Sequence, residues 1–128
     1  MNKFLLDTNI FIYYFNGESV VQSIFVDILA NKATGFYCPL TWTELLCYAS
    51  LSESEANQIR AFLRKLTCVL LTEAILDCAA RLRRDYRIKL PDALIAACAI
   101  EENCTLVTRN VEDFNRINGL NLFNPFAP

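Results

Sequence analysis

The sequence predicts an α/β fold built on a parallel sheet. Short apolar runs of strand length recur along its 128 residues. Between them lie segments whose apolar residues repeat with a period of about 3.6. No linker, internal repeat or low-complexity stretch interrupts that alternation, and 128 residues suit one domain with a core of its own. Strands alternating with helices favour a parallel sheet covered on both faces.

The first run, Phe4–Leu6, has the length of a buried strand and stops at Asp7. Thr8 and Asn9 follow, both able to bond nearby backbone and support a tight turn. Ile10 to Phe15 then reads as an aromatic-rich helix closing on the sheet. Val20, Val21, Ile24, Phe25, Ile28 and Leu29 form the next helical stripe, before a strand at Gly35–Cys38. Ala56, Ile59, Phe62, Leu63 and Leu66 share one helix face and lead into a strand at Cys68–Leu71. Ile75, Ala79, Leu82 and Tyr86 make a third stripe. Ala93 to Ile100 is apolar all round and alanine-rich, as expected of a buried, closely packed helix. Strands at Thr105–Val107 and Leu120–Phe123 complete the sheet. Gly17, Gly35 and Gly119 punctuate loops, and the tail from Asn124 to Pro128 reads as a frayed or partner-docked end.

Composition narrows the chemistry. Apolar residues make up 54% and charged residues 20%, a globular balance. No apolar run approaches the roughly 18 residues that span a bilayer. A lone Lys precedes the first run and no small-residue cleavage site follows, so no secretory leader and a cytoplasmic location are expected. The 6 cysteines are scattered, without a C-x-x-C pair, and read as reduced core thiols. Histidine is absent, which removes the commonest general base and the nucleophilic triads that need one. Any catalysis must run on carboxylates and on a metal held by oxygen. The net charge of −2 does not advertise nucleic-acid binding, yet Arg81, Arg83, Arg84, Arg87 and Lys89 crowd one stretch. That run is either a solvated helix face or a patch facing phosphates.

The acids stand where elements change. Asp7 ends the first strand, Glu44 follows the second, Asp92 opens the alanine-rich helix, and Asp113 follows the strand at Thr105–Val107. Each has a local explanation. Thr41 and Glu44 have the spacing of a capping box, and Asn110 with Asp113 a related one. Asp92 after Pro91 suits a first helical turn, and Asp7 could cap the first helix. Taken together they point elsewhere, because a parallel sheet brings several helix starts to one edge. Two unit charges about 4 Å apart repel by ~4 kcal/mol at an effective dielectric near 20. Oxygen ligands without His or Cys select Mg²⁺ or Mn²⁺, a setting suited to phosphoryl chemistry.

The stretches Leu5-Leu6-Asp7-Thr8-Asn9-Ile10, Thr41-Trp-Thr-Glu-Leu-Leu46, Asp92-Ala-Leu-Ile-Ala-Ala97 and Leu106-Val-Thr-Arg-Asn-Val-Glu-Asp-Phe114 resemble the successive motifs of PIN-domain nucleases. In size and spacing the chain is most similar to the VapC-type toxins of toxin–antitoxin pairs. The resemblance implies a three-layer sandwich with a five-stranded parallel sheet in the order 3-2-1-4-5, residues 1–128 forming a single nuclease domain. It implies a metal-dependent endoribonuclease that leaves 5′-phosphate and 3′-hydroxyl ends. Asp7, Glu44 and Asp92 match the acidic metal positions, with Mg²⁺ or Mn²⁺ as the ion. Where many relatives carry a fourth acid this chain has Asn110, leaving that role open between Asn110 and Asp113. Thr8, Asn9 and Thr108 match positions that orient the acids. Arg109, Arg81, Arg84 and Arg87 are the expected RNA contacts. A VapB-like antitoxin and a homodimer are the implied partners, with Tyr13, Tyr14, Phe15, Trp42 and Tyr48 a possible aromatic docking surface. The rival reading is a module acting mainly in antitoxin binding and promoter autoregulation. A DNA nuclease with the same acids ranks lower, since the short chain lacks room for DNA-gripping insertions.

Overall fold

The computed structural model describes residues 1–127. β1 (Asn2–Leu6) is followed by α1 (Thr8–Phe15), a 3₁₀ turn at Ser19–Val21 and α2 (Gln22–Leu29). Next come β2 (Ala33–Tyr37), α3 (Pro39–Leu46), α4 (Glu53–Leu63) and β3 (Thr67–Cys68). α5 (Glu73–Tyr86), α6 (Leu90–Glu101), β4 (Thr105–Val107), α7 (Val111–Phe114) and β5 (Asn121–Phe123) complete the chain. The strands form one sheet in the order β3-β2-β1-β4-β5, and every neighbouring pair is parallel.

Two cores flank this sheet, and strand alternation sorts residues between them. Leu5 and Leu106 point to a layer with α5 and α6, whereas Leu6 and Val107 point to a layer with α1, α2 and α4. α6 is buried over most of its surface, and Ala93, Ala96, Ala97 and Ala99 are fully enclosed. Small side chains there let the helix lie close to α5 and the sheet. Phe11 sits in the opposite layer and meets Phe25, Tyr37 and Phe62 edge-on. Local chemistry sets several helix starts: Ser52 and Glu55 form a reciprocal capping box on α4, and the Thr72 hydroxyl accepts from Ile75 N on α5.

The structure departs from the sequence expectations in a few places. The third strand was expected at Cys68–Leu71 but spans only Thr67–Cys68. Leu70 turns outward, 78% exposed, because the chain must reach the cap of α5 at Thr72. Val20, in the 3₁₀ turn, and Leu29, at the end of α2, lie outside the expected buried stripe. Cys47 and Cys68 are exposed free thiols, and only Cys38, Cys78, Cys98 and Cys104 are core residues. The Thr41–Glu44 capping box does not form, since α3 begins at Pro39 with Cys38 as its cap. The tail does not fray at Phe126, which packs edge-on against Tyr13 at 4.8 Å.

Gly35 marks the closest approach of helix to sheet. A Cβ there would lie 2.9 Å from both Cδ1 and Cγ2 of Ile28 and 3.1 Å from Leu66 Cδ2. Gly35→Ala should therefore lose about 1–3 kcal/mol of stability in urea denaturation. Adding Ile28→Ala should cost less than the sum of the two single changes, because it opens the space the new methyl needs. Strict additivity would show that the Gly35 contact does not limit packing.

Candidate active site

The site grows from the ends of the two central strands. Asp7 follows β1 and caps α1 in an extended conformation, φ −63 and ψ 151. Its backbone N donates to the Val107 carbonyl at 3.0 Å, continuing the pairing of β1 with β4 by one residue. Its Oδ1 accepts from Thr8 N at 2.8 Å and its Oδ2 accepts from Thr108 Oγ1 at 2.8 Å. Thr108, fully buried just beyond β4, also accepts from Asn110 N at 3.0 Å. One hydroxyl thus orients the acid and shapes the turn carrying Asn110.

Glu44 arrives on α3. Thr8 Oγ1 donates to Glu44 Oε1 at 2.8 Å and lies 2.9 Å from Thr41 Oγ1. A hydroxyl has one proton, so with Thr8 giving its own to the carboxylate, Thr41 is the donor to Thr8. Asp92 lies in the first turn of α6, where Lys89 supplies no side-chain cap. Asp7, Thr8, Asn9, Glu44, Asp92 and Asn110 line one cleft of about 280 Å³, with Ile12 and Ile95 in its apolar lining. Cys47 and Tyr48 stand at the same cleft, Tyr48 being 53% exposed. A larger hollow of about 450 Å³ lies between α1 and α4, but its only acid, Glu55, is committed to the capping box of α4.

The acids act on one another. Burial pushes the Asp7 carboxyl above its usual value against the pull of Thr108 and Thr8, and the charge of Glu44 adds to the rise. Asp92 is also raised, first by burial, then by the charges of Asp7, Asp113 and Glu44, with Lys89 offsetting part of the effect. No cation is paired with any of them: among the described residues the one ion pair joins Arg60 to Glu53. Oxygen donors around unneutralised negative charge are the chemistry of a hard-cation site.

The other predicted residues divide. Asn110 lines the cleft, whereas Asp113 lies behind it, accepting from Asn110 Nδ2 at 2.8 Å and lining a neighbouring hollow with Asp92. Asn9 lines the cleft without a side-chain hydrogen bond among the described residues. The Arg109 guanidinium stacks 4.2 Å from the Phe126 ring centre and 5.5 Å from that of Tyr13. Arg87 reaches the hollow shared with Asp92, while Arg81 and Arg84 are exposed on α5 and line neither hollow. Tyr14 and Trp42 pack against the aromatic core, leaving Phe15 and Tyr48 as the more exposed members of the expected docking surface. Sequence reasoning missed Thr41 as part of the Glu44 network, since its spacing reads as a cap. It also missed Cys47, one helical turn beyond Glu44.

Comparison with known proteins places the fold in a family. The model of the PIN domain family matches residues 4–120. Ribonuclease VapC19 of Mycobacterium tuberculosis is 34% identical over 115 residues, covering 86% of this chain and 90% of that protein. Ribonuclease VapC2 of Rickettsia felis is 31% identical over 129 residues, covering 94% and 96% respectively. A toxin–antitoxin complex from Klebsiella pneumoniae aligns with a TM-score of 0.80 at 28% identity, over 97% of this chain and 98% of its own. The crystal structure of VapBC2 from Rickettsia felis bound to a promoter DNA fragment aligns at 0.79 and 29% identity, over 95% and 98%. With the family model spanning most of the chain and these relatives matching nearly end to end, the chain belongs to the PIN domain family, among the VapC proteins.

Proposed function

We propose that this chain is a metal-dependent endoribonuclease toxin, restrained by a VapB-like antitoxin, that hydrolyses RNA to 5′-phosphate and 3′-hydroxyl ends. The observation that carries the reading is the meeting of Asp7, Glu44 and Asp92 in one cleft, with no ion pair to any of them among the described residues. Its support from comparison is the name ribonuclease on the curated relatives and the toxin–antitoxin complexes among the structural ones.

The donor set fits Mg²⁺ or Mn²⁺. It consists of carboxylate and amide oxygens. Among the described residues no three acids or thiols stand close enough to hold an ion together, so an ion here would take one or two carboxylates and keep several waters. Asp7 and Asp92 would hold it, with Glu44 and the Asn110–Asp113 turn completing the shell directly or through water. When bound, such an ion supplies a more acidic water and neutralises charge on a phosphoryl oxygen.

The chain's own residues do the positioning. Thr108 and Thr8 fix the rotation of the Asp7 carboxylate, leaving its remaining lone pairs for the cleft. Thr41 and Thr8 hold Glu44 through a relay of hydroxyls. Ile12 and Ile95 contribute apolar surface to the cleft beside the acids. Asp113 orients the Asn110 amide and adds negative charge behind Asp92.

Asp7→Asn should abolish cleavage of RNA while raising the thermal stability of metal-free protein at neutral pH. The sign follows from the raised carboxyls of Asp7 and Asp92. The fold holds those protons more tightly than the unfolded chain does. That contribution is full below the ordinary value of 3.8 and is lost as pH rises through the raised one. Unchanged cleavage by Asp7→Asn enzyme, purified free of wild type, would refute the mechanism. In the metal-free protein the same shifts mean that an ion must displace protons held above the ordinary carboxylate range, so Mn²⁺ affinity should fall as pH drops through that raised range, which calorimetry at several pH values measures. Thr108→Val, which keeps volume but removes the hydroxyl, should weaken Mn²⁺ binding by about 10- to 100-fold in calorimetry. Unaltered Mn²⁺ affinity in that variant would show that Thr108 does not orient a metal-holding group.

A further inference from the structure

Beside the acid cleft lies a hollow of about 180 Å³ of mixed charge, in which Arg87, Lys89 and Arg116 outnumber Asp92 and Asp113. Asp92 lines both spaces, so the two share a wall. Two of the cations, Arg87 and Lys89, come from the short connection between α5 and α6, and Arg116 comes from beyond α7. Among the described residues none of them lies within 4.0 Å of a carboxylate oxygen, and Asp113 is engaged by Asn110 instead. Arg116 is anchored by donating to the Tyr86 carbonyl at 3.0 Å.

Arg87 adds an independent mark. Its backbone is left-handed, φ 56 and ψ 29, at a helix end where glycine or asparagine would sit without strain. Its guanidinium makes no hydrogen bond among the described residues. A residue strained in its backbone and uncommitted in its side chain points to a role for that side chain.

We propose that this hollow binds a phosphate of the RNA strand adjoining the one that is cut, making Arg87, Lys89 and Arg116 positioning residues for the substrate. The proposal rests on the ribonuclease reading. A nucleic-acid strand carries its charges in series. When one phosphate occupies the acid cleft, the next must leave it, and the cationic hollow across Asp92 receives it. A protein carboxylate is the other anion that three cations accept, but nothing about a protein partner demands a site joined to the acid cleft.

The test compares Arg87→Gly combined with Lys89→Gln against the parent, both carrying Asp7→Asn to prevent cleavage. The probe is a mixed-sequence single-stranded RNA of about 20 nucleotides, longer than the roughly 4–16 nucleotides of a single-strand binding site. Arg87→Gly alone should raise the melting temperature, since it relieves the left-handed strain, so loss of binding will not reflect unfolding. The double change should weaken RNA binding roughly tenfold, as expected for a lost charge-assisted phosphate contact, and flatten the salt dependence by about one unit. Unchanged affinity and salt slope overturn the proposal, as does a variant that loses antitoxin affinity alone. Wild-type protein that cuts no RNA, assayed on total RNA, overturns the ribonuclease reading instead. Titration with inorganic phosphate, followed on the arginine side-chain NMR signals, then decides the hollow separately. Saturable shifts of Arg87 and Arg116 support an anion site, and silence overturns it.

Discussion

The Asp7 side chain joins the ends of the two central strands, and the rest of the site depends on that bond. β1 and β4 are neighbours in space although most of the chain lies between them. Chain order runs outward from β1 through β2 to β3, then returns to β4 on the other side, so the crevice opens where the direction of winding reverses. Backbone pairing ends with Asp7 N on the Val107 carbonyl. Beyond it, the bond from Thr108 to Asp7 holds the two chain segments together while their helices diverge. The carboxylate is half-buried in consequence, and its ionised form is disfavoured. The fold therefore holds a group against its own preference, as sites that must meet a charged ligand commonly do.

Capping and site-building turn out to be the same act at Asp7. Its Oδ1 satisfies the first free N–H of α1, and its Oδ2 is turned by Thr108 beside the cleft. At Glu44 the two separate. Pro39 starts α3 earlier than a Thr41 cap would, which frees Thr41 from the helix end and leaves its hydroxyl for Thr8. That hydroxyl is fully buried, so its hydrogen bond is obligatory, and the path from Thr41 through Thr8 to Glu44 is held by the cost of leaving any member unpaired. Positions that look like competing explanations in the sequence are thus parts of one polar network.

Much of this was legible before the fold was known. The run Thr105–Val107 coincides with β4, and the all-apolar pattern of Ala93–Ile100 is a helix enclosed on most sides, because strong periodicity or its complete absence reports burial directly. Asp7, Glu44 and Asp92 were legible because each ends or opens an element at the same sheet edge. What escaped depends on exposure and on side-chain direction, neither of which local sequence encodes. Leu70 and Cys68 look like core and face out, since a two-residue strand gives no second face to bury. Arg81 and Arg84 lie in the same basic run as Arg87, yet helix geometry leaves them away from the acids. Arg109 is next to Thr108 in sequence, but its guanidinium is taken up by Tyr13 and Phe126.

The charge balance shows why a net value of −2 says little about an anionic substrate. Interactions between exposed charges fade beyond about 8 Å at physiological salt, so a strand near the cleft senses local charges and not the total. Those local charges are arranged in opposition: four acids act on one another around Asp92, and three cations face the same residue from the adjoining hollow. Neither group neutralises the other by contact, since no ion pair forms between them. An acidic cleft alone would repel RNA, and a basic hollow alone would bind any anion without acting on it. On the ribonuclease reading and the proposed phosphate hollow, a metal among the acids and cations beside them would remove the repulsion at two adjoining places, with Asp92 on the wall common to both.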